Sequence, residues 1–166
     1  MTENALVASA ESSPAPADTL GPRSYPARPF VAVGVVVFRG EQVLLVRRGK
    51  SPRKGQWSIP GGAQHAGETV QDAGLREVRE ETGVEVRISD LVDVLDYIDH
   101  DDMGRIRHHY TLIDWAAEWV DGQARPGDDV TDVMWADLNS LDAHALWDET
   151  RRVIEQAARK RSKADP

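Results

Sequence analysis

An α+β fold is expected from this sequence: an α/β/α sandwich in which a mixed β-sheet is flanked by helices. Strand-like runs rich in β-branched residues recur between residues 30 and 136, and helical periodicity is confined to two separated stretches. No internal repeat relates these segments. At 166 residues the chain can bury one ordinary core with tails to spare.

Residues 1–29 hold five of the nine prolines, with Ala and Ser between them and no helical or strand period. They are expected to form a disordered or loosely packed arm. The folded domain is expected over 30–162, with 163–166 as a short tail. Residues 30–38 are a β-branched run, 39–42 a turn and 43–46 a return, so 30–48 reads as a hairpin. Residues 49–56 form a basic loop. Trp57, Ser58 and Ile59 make a short strand that Pro60, Gly61 and Gly62 stop. A helix fits 69–81, with Gly83 as its C-cap. Strands return at 84–88 and 91–98, and 99–104 is an acidic hairpin turn. Residues 107–120 are a long strand with Ile113, Trp115, Ala117 and Trp119 on one face. After a Gly/Pro/Asp loop at 121–129, a short strand at 133–136 leads to a helix from 138 to about 161. Leu146, Val153, Ile154 and Ala157 form the stripe it buries.

Composition removes several classes of function. Lys and Arg total 20 against 28 Asp and Glu, a formal charge of −8, which argues against nucleic acid as a partner. An anionic ligand then requires a bound cation or a local Arg/Lys cluster. The absence of cysteine excludes disulfides, thiolate zinc sites and cysteine nucleophiles. No apolar run approaches the ~18 residues of a membrane span. Glu3 stands where a signal peptide carries positive charge, so a cytoplasmic protein with no membrane partner is expected.

Chemistry is concentrated around the first helix. Glu77, Glu80 and Glu81 stand at i, i+3 and i+4, on one patch of helix surface. Between residues 68 and 85 six acids face two arginines, a local charge of −4. A solvated acidic face is the simplest account of such a run. Azimuth argues against it here: at about 100° per residue, Glu77 and Glu81 continue the side defined by Val70, Ala73 and Gly74. Asp72 and Arg79 point the opposite way. Acids on an inward face repel one another unless a cation sits among them. Carboxylates without Cys or paired His select Mg²⁺ or Mn²⁺ over zinc, and a carbonyl at Gly61 or Gly62 adds another hard oxygen.

Gly62, five residues, Glu68, seven residues, then Arg76-Glu77-Val78-x-Glu80-Glu81-x-Gly83-Val84 resembles the Nudix box, with no fixed position missing. Average residue frequencies give such a match by chance about once in ten million chains of this length. The resemblance extends over roughly residues 30–160, and its layout is similar to that of small bacterial ADP-ribose pyrophosphatases. It implies metal-dependent hydrolysis of a nucleoside diphosphate linked to another moiety, such as ADP-ribose or a related nucleotide sugar. It further implies that Glu80 and Glu81 hold the metal with the Gly61 carbonyl, and that Glu77 is a ligand or the water-activating base. Arg76 orients a glutamate, and Glu68 supports the loop. The family's other activities leave two alternatives: a housekeeping nucleoside triphosphate pyrophosphatase, and a non-catalytic nucleotide-sensing domain. A homodimer formed through the sheet is also in keeping with the family. Gly74 stands where many relatives carry Ala, at a cost of roughly 1 kcal/mol of helix propensity.

Further candidates lie outside the box. Asp128, Asp129 and Glu118 are candidate extra bases or ligands, each also readable as a solvated acid. Arg47 and Arg48, beside Lys50, Arg53 and Lys54, suit phosphate capture as well as simple solubility. Trp57 is placed either to stack on a base or to fill the core.

Overall fold

The computed structural model describes residues 23–50, 53–127 and 129–164. The N-terminal arm therefore lies outside the described residues up to position 22. A hairpin opens the domain, β1 (Phe30–Arg39) and β2 (Gln42–Arg48), but the two strands pair only next to the turn, at Phe38 with Val43 and Arg39 with Gln42. Beyond that they fork. Two short strands fill the fork: β3 (Trp57–Ser58) pairs with β2, and β4 (Gly61–Ala63) pairs antiparallel with β1. Gly61 and Gly62 thus form a strand rather than the stop expected after Ile59. The long strands β5 (Glu85–His100) and β6 (Ile106–Asp121) form an antiparallel ribbon, and β6 lies parallel to β1 along nine residue pairs. β7 (Val130–Asp137) covers the other side of β2. The result is a seven-stranded mixed sheet.

One helix packs on each face. The helix α1 (Val70–Thr82) lies over Val35, Val37, Leu44, Val84 and Ala117 through Val78. The second, α2 (Asp148–Ala164), lies over Val36, Phe38, Val43, Leu45 and Ala116 through Val153, Ile154 and Ala157. β1 is buried on both faces, which is why its sequence is a continuous apolar run rather than an alternating one.

The caps of α1 are legible in its sequence. The Thr69 hydroxyl accepts from the Asp72 N–H, and Gly83 takes a left-handed conformation (φ 71°) that an L side chain disfavours, while its N–H donates to Arg79 O. Gly74 faces β1 so closely that a Cβ there would stand 3.1 Å from Val35 Cγ2.

Further elements differ from expectation. The two strands expected at 84–88 and 91–98 are one strand, because irregularities at Ile88/Asp90 and Leu91/Asp93 absorb the polar interruption at Ser89 and Asp90. The helix expected from 138 breaks into a 3₁₀ turn, Leu138–Ala143, then an extended link, then α2. Asp137 bonds the Asn139 N–H, and Ser140 leaves helical geometry; such short polar side chains compete with helix backbone. Leu146 consequently sits in the link, bridged to Trp57, rather than on the helix stripe. α2 also runs to Ala164, past the boundary expected at 162. Among the described residues no helix is long and apolar enough to cross a membrane.

Candidate active site

The site is built where β4 meets α1. A strand directs successive backbone groups to alternate sides. On one side β4 bonds β1, with Val35 N–H donating to Pro60 O and Gln64 N–H donating to Val31 O. The backbone groups of Gly61 and Ala63 then face α1. The Gly61 N–H donates to Glu81 Oε2 (3.0 Å), and Ala63 O accepts from Arg76 Nη2 (3.0 Å). The N–H and C=O of one strand residue point the same way, so the Gly61 carbonyl also faces the helix carboxylates. This approach requires small residues: a Cβ on Gly62 would land on the Glu77 carboxylate, and one on Gly61 would strike Val33 O.

Arg76 organises the acids. It clamps Glu68 in a bidentate pair (3.0 and 2.7 Å), and its Nη1 donates to Glu77 (2.8 Å) and Glu80 (3.2 Å). Glu68 also accepts from the His65 N–H (2.7 Å), and Arg76 first, then this backbone donor, holds its carboxyl at about 2. The arginine itself is held still more firmly protonated, chiefly by Glu68. Glu81 is different. Burial pushes its carboxyl up to about 7, repulsion from Glu77 and Asp129 adds to this, and the Gly61 N–H and Arg48 pull the other way.

Among the described residues no three acidic or histidine side chains already enclose a cation-sized site. Arg76 engages Glu77 and Glu80, and the Gly61 N–H engages Glu81. The donor set itself still fits a hard divalent cation: all its atoms are oxygen, and the half-buried Glu81 carboxylate stands beside that of Glu77.

The remaining candidates divide. Asp129 lies beside the site, its backbone O accepting from Gly49 N–H, its carboxylate paired with Lys50 and its charge reaching Glu81. The preceding Gly127 donates to Glu81 O (3.0 Å), so this loop crosses the end of α1. Asp128 lies outside the described residues. Glu118 is on the opposite face of the sheet, bonded to Arg161 of α2 (2.7 Å), and is not brought to the box carboxylates. Arg47 is exposed and donates to Gly55 O, whereas Arg48 lines a cavity of about 260 Å³ that opens beside Gly61, Gly62 and Ala63. Trp57 packs against the core under α2 and does not line that cavity.

The cavity's own walls were missed in the sequence. Tyr97, Tyr110, Trp147 and Asp114 line it, and the Arg53 guanidinium lies over Trp147, 3.5 Å from the ring centroid. Asp114 did carry a signal, as the one acid inside the apolar run 110–117.

Comparison with known proteins identifies the family to which this fold belongs. The NUDIX domain model matches residues 28–157. An ADP-ribose pyrophosphatase of Methanocaldococcus jannaschii is 34% identical over 113 residues, covering 68% of this chain and 64% of that protein. The chain spans just under two thirds of the length of the first curated relatives it matches. The crystal structure of a MutT NUDIX hydrolase from Burkholderia pseudomallei superposes with a TM-score of 0.68 at 30% identity, covering 78% of this chain and 98% of that one. A bifunctional NMN adenylyltransferase/ADP ribose pyrophosphatase of Francisella tularensis, complexed with AMP and a manganese ion, superposes with a TM-score of 0.65 at 25% identity, covering 80% and 42%. With the box residues gathered between β4 and α1 in this fold, the chain belongs to the NUDIX domain family.

Proposed function

We propose that the protein is a divalent-metal-dependent pyrophosphohydrolase that cleaves the diphosphate of a nucleotide sugar, with ADP-ribose as the preferred substrate. The observation that carries this reading is the half-buried Glu81 beside Glu77, both facing the Gly61–Gly62 backbone at the edge of a cationic and aromatic cavity. Glu77, Glu80, Glu81 and the Gly61 carbonyl are the groups that would hold Mg²⁺ or Mn²⁺. Such an ion neutralises diphosphate charge and makes bound water more acidic.

The chain's own residues do the rest. Arg76 holds Glu77, which stands against Gly62, and Glu80, and Glu68 fixes Arg76. Arg48 and Arg53 set positive charge on the cavity wall, which an acidic chain needs to admit a diphosphate. A carboxylate oxygen accepts the proton of the attacking water; Glu77 fits this role through its contact with Gly62, and Asp129 stands near enough to share it. The M. jannaschii relative supports the ADP-ribose choice. A cytoplasmic setting belongs to the same reading. So does pairing of two copies through the sheet, whose edge strand β5 exposes Leu91, Val94 and Ile98.

The test is release of AMP and ribose 5-phosphate from ADP-ribose, with Mg²⁺ and with chelator, beside a panel of nucleotide sugars and nucleoside triphosphates. Metal-dependent turnover of ADP-ribose above the panel supports the proposal. Preference for a triphosphate moves the assignment to a housekeeping pyrophosphatase, and no turnover of any compound leaves a nucleotide-sensing domain. Glu81→Gln should lower turnover at least 100-fold while the melting temperature holds, because Gln keeps an acceptor for the Gly61 N–H. Full activity in that variant would remove Glu81 from the chemistry.

A further inference from the structure

The cavity under α2 contains a carboxyl that the hydrolytic chemistry does not use. Asp114 projects from β6 on the face away from α1 and is 6% exposed, and its side chain makes no hydrogen bond among the described residues. The cation whose charge reaches it, Arg152, is already bonded to Asp93, Glu149 and Gln156. Opposite stands Gly34, where a Cβ would collide with Asp114 Oδ1, so the glycine leaves the carboxyl its space. A largely buried carboxyl that lines a cavity and spends no hydrogen bond on the described residues is placed to bond a group from outside the chain.

The surroundings specify what that partner looks like. Tyr97, Tyr110 and Trp147 supply flat walls, and Arg53 holds its guanidinium plane over Trp147 from a left-handed backbone (φ 62°). That strained conformation at a cavity wall is the kind kept where a side chain must be aimed. Aromatic rings and arginine planes stack on nucleobases.

We infer that Asp114 is a specificity-determining residue that reads the amino edge of an adenine ring stacked against Arg53 and the aromatic walls. This rests on the reading of the protein as a nucleotide-sugar hydrolase and extends it to one half of the substrate. Burial, with repulsion from Asp93, pushes the Asp114 carboxyl up to about 7, so its neutral form is well populated near neutrality. A neutral carboxyl offers one donor and one acceptor. Adenine presents the matching pair, an exocyclic amino donor beside a ring-nitrogen acceptor, whereas the amino-bearing edge of guanine presents two donors and suits an ionised carboxylate instead.

The test is calorimetric binding of AMP and of GMP to the full chain in the absence of divalent cation, for the unmodified protein, Asp114→Asn and Asp114→Leu. The unmodified protein should bind AMP at least tenfold more tightly than GMP. Asp114→Asn keeps a donor and an acceptor and should retain that preference; Asp114→Leu should lose at least tenfold in AMP affinity. In turnover of ADP-ribose, Asp114→Leu should raise KM about tenfold and change kcat less than threefold. Equal AMP affinity in Asp114→Leu, GMP bound as well as AMP, or no AMP binding at all would each overturn the inference. The two readings fail separately. Selective AMP binding without hydrolysis removes the hydrolase, whereas hydrolysis with an unchanged KM in Asp114→Leu removes only the role of Asp114.

Discussion

Arg76 shows how one side chain imposes order on an acidic patch. Its five N–H donors reach Glu68, Glu77, Glu80 and the Ala63 carbonyl, so it offsets like-charge repulsion that would otherwise splay the helix acids. Arg76→Lys keeps the charge but cannot make this fork. We expect both Arg76→Lys and Arg76→Ala to lower kcat at least tenfold, with a fall in melting temperature of a few degrees for the alanine variant, read by steady-state kinetics and calorimetry. Wild-type kcat in Arg76→Lys would mean that charge alone suffices. Asp114 makes a second prediction at this scale, on stability. Its folded carboxyl titrates near 7 and an unfolded one near 4, so between these values the native state keeps a proton that the unfolded state has released. Its contribution is therefore complete below about pH 4 and is lost as pH rises through about 7. Denaturant midpoints of wild type should fall from pH 5 to pH 8 more than those of Asp114→Asn. Parallel pH profiles would show that Asp114 titrates normally.

At the scale of elements, the close packing of β4 on α1 decides the geometry. Gly62→Ala puts a methyl group on the Glu77 carboxylate, so turnover should fall at least tenfold while the core, which the change does not touch, keeps its melting temperature within a few degrees. Assays of turnover and of thermal unfolding on the same sample check this. How far these elements were readable in advance depended on what fixes them. α1 carries its own instructions, in Thr69, Gly83 and the apolar residues between, and its limits were readable to within a residue. Strand β4 was not readable, because Gly61 and Gly62 have no strand propensity; the open fork between β1 and β2 recruits them, and that fork exists only in three dimensions. The break before α2 was also hidden, since Val153, Ile154 and Ala157 keep a helical period while Asp137 and Ser140 act locally on the backbone. Trp147 belongs to the cavity for the same reason: it stands at the end of the link rather than on a continuous helix.

For the whole molecule, charge is distributed against the average. A chain of net charge −8 places Arg23, Arg48 and Arg53 around one cavity, whose lining includes the Gly61–Ala63 backbone that Glu81 and Arg76 engage. The box was legible because its residues lie within one short segment. The cavity was not, because Trp147, in the link before α2, meets Tyr97 and Asp114 of the β5–β6 ribbon only once the chain has folded. Manganese titration followed by the electron paramagnetic resonance of free Mn²⁺ tests the central claim most directly, comparing the wild-type chain with a Glu77→Gln/Glu80→Gln/Glu81→Gln variant whose cooperative melting has been verified. Mn²⁺ taken up by the wild type in the presence of AMP, with affinity at least tenfold weaker in the variant, is the predicted result. Equal uptake by the two proteins, or none by the wild type, would contradict it.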